Sequence, residues 1–168
     1  MTSVALLVDV FGRVRDLARR VVEGLSEEEL ATRPNDRTNT IAWLVWHLTR
    51  IQDSHVADLA ETEEVWASLG WADRFGLPFD RAATGYGHGP DEVARVRPSG
   101  ALLVGYHDAV YERTIGFVRS LRDGDLDRIV DESWDPPVSL GVRLVSVLSD
   151  DLQHVGQSAY VRGLIRSR

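Results

Sequence analysis

The sequence predicts an all-α fold: a four-helix bundle with a long crossover between its second and third helices. Three observations carry this reading. Four long segments repeat apolar residues at spacings of three and four, the period that lines one face of a helix. No segment sustains the alternation of a strand. Residues 65–98, rich in glycine and proline, separate the second and third periodic segments.

The first helix spans about residues 4–25. Val4, Leu7, Val8, Phe11, Val14, Leu17, Ala18 and Val21 form its apolar stripe, and Gly24 ends it. Ser26 with Glu29 has the pattern of a capping box for a short helical turn. The connector "TRPNDRTNT" follows, with Pro34 as a breaker. The second helix starts at Asn39 or Thr40, both good N-cap types, and carries "IAWLVWHLTRIQDSHVADLAE" to about Glu64. The crossover contains "GLPFDRAATGYGHGPDE"; a connection this long inside a compact domain is often functional, such as a lid over a site. Ser99 caps the third helix, which runs to about Leu121. The stretch "DGDLDRIVDESWDPP" has room for a small hairpin. The fourth helix starts after "WDPPVSLG" and reaches about Leu164; Pro136 and Pro137 suit the approach to a helix, not its interior.

At 168 residues the chain is expected to form a single domain, 1–168, able to bury a core without disulfides. Its net charge of -7 argues against nucleic acid and anionic membranes as partners, since phosphate binding needs a basic surface. The absence of cysteine excludes thiolate zinc sites and a cysteine nucleophile, so any metal site must use His, Asp or Glu. All 19 basic residues are arginine, which removes lysine Schiff-base chemistry. The start "MTSVALLVDVFGRVRDLARR" has no basic stretch before its apolar residues, and charges interrupt it early. Neither a signal peptide nor a membrane span is expected, and the expected location is cytoplasmic.

The chemistry gathers at "DDLQHVGQSAYVRGL", where Asp150 and His154 stand four apart and Asp151 and His154 three apart. Either spacing puts a carboxylate and an imidazole on one side of a helix. A helical wheel on Leu144, Leu148, Leu152, Val155 and Ala159 places Asp151 nearer the apolar stripe and so leans to Asp151. Alone, this is the pattern of a solvated acidic patch. His47 lies among Leu44, Val45, Leu48 and Ile51 on the edge of an inward face of the second helix. Alone, it reads as a buried histidine with one hydrogen bond. Together, His47, an aspartate and His154 make a set with open positions that suits zinc, nickel, iron or manganese, with zinc or nickel the expected ion.

The segments "TIAWLVWHLTRIQDSH" and "DDLQHVGQSAYVRGLI" resemble the DinB/YfiT-like superfamily of metal-binding four-helix bundles. Members carry a histidine on the second helix in an x-W-x-x-x-H-L context and H-x-x-x-H on the fourth, running into Gly-Gln. His47 matches the first histidine, and His154, before Val155, Gly156 and Gln157, matches the last. The middle position falls on Asp150, where many members have His. The related mycothiol-dependent maleylpyruvate isomerases have a carboxylate there, Glu in E-x-x-x-H. The resemblance therefore places Asp150 above Asp151 and implies the ligand set His47, Asp150 and His154.

It also implies a thiol S-transferase or isomerase that activates mycothiol or another low-molecular-weight thiol toward a small-molecule substrate, and a possible homodimer. Metal-dependent hydrolysis, with Asp151 or His55 as base, is a second reading. A non-catalytic metal- or ligand-binding bundle is a third. Gln157 is placed to support a ligand, and Trp43 and Trp46 to wall a pocket, although most such tryptophans are core. His55, two turns past His47, reads as a surface residue that could sit near the same face. Tyr106, His107 and Tyr111 could face the site from the third helix, and His88 could reach it if the loop folds over. Arg50 and Arg162 could anchor an anionic substrate, although surface positions are the rule for arginine.

Overall fold

Side-chain caps set where the long helices begin. The hydroxyls of Thr2, Thr40, Ser99 and Ser139 accept from the backbone N–H of Ala5, Trp43, Leu102 and Val142 at 3.0–3.3 Å. Each satisfies one amide that the first turn leaves open, worth about 1 kcal/mol. In the computed structural model, which describes residues 1–167, these caps open α1 (Ser3–Val22), α3 (Ile41–Leu59), α7 (Gly100–Ser120) and α8 (Leu140–Arg166). Ser26 and Glu29 form the expected capping box of the short α2 (Glu27–Leu30).

The fold is the all-α bundle that the periodicity predicts. α1 packs on α7 and α8, and α3 packs on the same two helices from the opposite side. The crossover is not structureless: it holds α4 (Val65–Ser68), α5 (Trp71–Phe75) and α6 (Pro90–Val93). These cover the outer side of α3, which is why α3 is buried almost all round, including Thr49, Arg50, Gln52 and Asp53. α3 also ends before Glu64. Glu61 turns with φ +54°, and the Asp53 carboxylate accepts from the amides of Val65 and Trp66 at 2.8 Å each, opening α4 there. The expected hairpin is a two-stranded antiparallel pair, β1 (Ile129–Asp131) and β2 (Val138–Ser139). Among the described residues, no helix is long and apolar enough to cross a membrane.

The apolar core divides into two clusters. One gathers Leu30, Trp46, Tyr106 and Val155, the other Phe11, Leu59, Ile115 and Leu148. Buried polar residues include Gln52, which donates to Thr114 at 2.8 Å, and His107, whose Nδ1 lies 3.1 Å from the Thr49 hydroxyl. Asp151 lies on α8 between Val155 of one cluster and Leu148 of the other, fully buried, with both carboxyl oxygens lacking a hydrogen-bond partner.

Burial, and then the neighbouring Asp150 charge, hold the Asp151 carboxyl well above its ordinary range. A carboxyl raised in the folded state contributes stability that is fully present below the unfolded pKa, about 4, and is lost as pH rises through the folded value. The contribution of Asp151 to the stability of the metal-free protein is therefore expected to fall as pH climbs above about 4. Asp151→Asn is expected to flatten that dependence, read from urea midpoints across pH in the presence of a chelator.

Candidate metal centre

His47 is on α3, and Asp150 and His154 are on α8, two helices that pack side by side. The four-residue spacing turns Asp150 and His154 the same way. The imidazoles of His47 and His154 come together with centroids 4.9 Å apart and planes at 73°. One potential ligand atom from each of the three residues lies within 4.8 Å of the others.

The hydrogen bonds around the imidazoles decide which atom each can offer. Nδ1 of His47 is 2.6 Å from the Thr84 carbonyl oxygen, which can only accept. Nδ1 therefore carries the proton and Nε2 the free lone pair. Nδ1 of His154 is 2.9 Å from Oε1 of Gln157, an acceptor that holds the same tautomer whenever an ion takes Nε2. Nε2 of His154 then faces Oδ1 of Asp150 at 3.4 Å, and Oδ2 of Asp150 is buried without a partner. With both rings neutral, three lone-pair donors converge with no proton donor among them. Pinning of one ring nitrogen by an outer acceptor is the arrangement that orients metal-binding histidines. The residues present thus fit a divalent ion, which would supply a lowered pKa for a coordinated water or thiol.

Protonation competes for the same lone pairs. Burial holds the His47 imidazole below its ordinary value despite the Thr84 carbonyl, so it is neutral at pH 7. The contact with Asp150 pushes His154 up, opposed by burial and aided by Gln157. Affinity for a cation is expected to fall as pH drops through the His154 value. Gln157→Leu, which releases Nδ1 of His154, is expected to weaken cation binding about tenfold, measured by competition with a chelating dye.

The crossover closes one side of the centre. Trp43 stacks on His47, with centroids 4.6 Å apart and planes at 14°, and meets His154 edge-on at 6.3 Å. Three side chains bond the carbonyls of the loop above: Trp66 Nε1 donates to Arg81, Arg50 Nε to Ala83 and His47 Nδ1 to Thr84. Trp43 Nε1 also donates to Nδ1 of His88 at 3.3 Å, so the loop brings that histidine to the wall of the site. Thr84 and Gly85 were not foreseen from the sequence; the glycines of "TGYGHG" were the available signal for a close backbone approach.

Other candidates lie elsewhere. His55 accepts from Arg143, which also pairs with Asp131, so it is neither free nor part of the cluster. Asp151 points into the core and not into the cluster. Trp46 is buried and stacks on His88 at 5.9 Å. Tyr106 donates to Asp53, His107 meets Thr49, and Tyr111 lies under the Arg15 guanidinium, so the third long helix does not supply the site. Arg50 is not on the surface: it is fully buried, with its charge met by Glu64 at 2.8 Å and Asp53 at 3.7 Å. Arg162 donates to the Val21 carbonyl. Neither arginine reaches out as an anchor for an anion.

Fold and site together define a helical bundle with a His, His, Asp cluster able to hold a metal ion between two of its long helices. The DinB superfamily model matches residues 11–158, and the chain belongs to that superfamily. A conserved protein from Enterococcus faecalis, solved by crystallography, is similar over 100% of this chain and 99% of its own, with a TM-score of 0.93 and 27% identity. No curated protein matches.

Proposed function

We propose that the chain is a metal-dependent enzyme that activates a low-molecular-weight thiol of the mycothiol kind and acts as an S-transferase or isomerase on a small electrophilic substrate. His47, Asp150 and His154 hold the ion, zinc or nickel. The observation that carries the reading is the pair of imidazoles pinned at Nδ1 with Nε2 left free beside Asp150. The chain has no cysteine, so the sulfur must come with a cosubstrate. A divalent ion held there would lower the pKa of a bound thiol so that its proton could pass to solvent, with no protein base required. Hydrolysis is the weaker reading because its candidate bases are not at hand: Asp151 is sealed in the core and His55 is held by Arg143.

The protein in this reading is cytoplasmic, and two copies pair. The test is direct. Zinc- or nickel-loaded protein is mixed with a thiol and a fluorogenic electrophile, and the conjugate is identified by mass. Thiol-dependent conjugation that disappears in His154→Ala is expected. Cleavage of an activated ester without thiol consumption would instead establish a hydrolase, and turnover of neither kind a binding bundle.

A further inference from the structure

We propose that His88, carried by the crossover loop, is a substrate-contacting residue of this centre: its Nε2–H donates a hydrogen bond to an anionic or electron-rich atom held beside His47, Asp150 and His154. The inference rests on the metal reading above.

Trp43 joins the groups concerned. Its ring stacks on His47, meets His154 edge-on, and its Nε1–H donates to Nδ1 of His88. An indole can only donate, so Nδ1 of His88 must accept, and the neutral ring carries its proton on Nε2. That atom has no protein partner among the described residues, and it is not among the buried orphaned atoms. The ring is half-buried and held in place, lying 4.6 Å from Phe79 and 5.9 Å from Trp46 between centroids. The backbone is fixed as well, because the His88 amide donates to the Gly85 carbonyl and Gly85 packs against His47, Trp43 and Trp46. A donor whose tautomer and position are both set, with its proton unspent, is what recognition of a developing negative charge requires. Among the described residues, no group accepts that proton.

The test uses cobalt(II)-loaded protein and azide as the probe anion, read from the visible spectrum of the cobalt. His88→Phe keeps an aromatic ring against Phe79 and Trp46 but removes the donor. Azide is expected to bind about tenfold or more weakly, the weight of a hydrogen bond to a charged group, while cobalt affinity stays the same. His88→Gln, which keeps an N–H donor, is expected to recover most of the loss. In the wild type, adding azide is expected to shift the His88 Nε2 nitrogen resonance, a readout that needs no variant to fold. Equal azide affinity in the two cobalt-loaded proteins, or an unmoved resonance, overturns this inference alone. Loss of cobalt only in His88→Phe also overturns it, because the residue would then serve the ion and not the substrate. Failure of the wild type to bind cobalt overturns the metal reading and this inference with it.

Discussion

Asp150→Asn is expected to weaken divalent-ion binding by more than the 10–100-fold that loss of an outer partner costs, because it removes a ligand itself. Asp151→Asn is expected to leave affinity within about threefold, since burial favours the neutral form of the Asp151 carboxyl and its side chain lies outside the cluster. Competition titration against a chelating dye separates the two. The contrast is sharp because the residues are neighbours in sequence and opposite in environment. The Asp150 carboxylate is about a third exposed and faces His154, while Asp151 is fully buried and faces apolar residues. Equal losses in the two variants would mean that the carboxylates act on the ion interchangeably.

The second large effect lies in the loop. Gly85 has φ +93°, and a Cβ added there would stand 2.9 Å from His47 Nδ1, 2.9 Å from Trp46 and 3.2 Å from Trp43. Gly85→Ala therefore meets two costs at once. Left-handed backbone strains an L side chain, and overpacking against rings that are themselves held costs about 1–3 kcal/mol. We expect a loss of about 2–4 kcal/mol in folding free energy, or displacement of the loop with release of the Thr84 bond. Thermal melts read the first outcome. Loss of the fixed His47 tautomer, seen in ring nitrogen resonances, reads the second. Gly87 also has positive φ, at +77°, but has nothing within 4 Å of its added Cβ. Gly87→Ala thus carries only the backbone part of the cost and serves as the control.

The bundle was legible because its helices are amphipathic and capped by short hydroxyl side chains. Ser26 with Glu29, and Ser99, fall where their pattern put them. The end of α3 was not legible. "ADLAETEEVW" continues a helical pattern, but Glu61 turns with positive φ and the Asp53 carboxylate takes the amides of Val65 and Trp66. At the centre, the wheel leaned to Asp151 as the ligand, and the structure puts its carboxylate outside the cluster. The wheel put Asp151 on the apolar side, and it is indeed buried. The resemblance put Asp150 with the histidines, and that is where its carboxylate sits. A wheel measures which way a residue faces the core, and a ligand between two helices sits at the edge of that face. Arg50 defeated the rule that arginines are exposed, because the crossover folds over α3 and supplies Glu64 to meet the charge. His88 needed the loop path, which local sequence does not encode.

The central claim is that His47 and His154, far apart in the chain, share one cation with Asp150. Metal content per chain, measured by elemental analysis after loading with zinc or nickel and removal of free ion, tests it most directly. The account predicts about one ion per wild-type chain, and little or none in His47→Ala or His154→Ala that remain folded by circular dichroism. Full metal content in folded His47→Ala would contradict it.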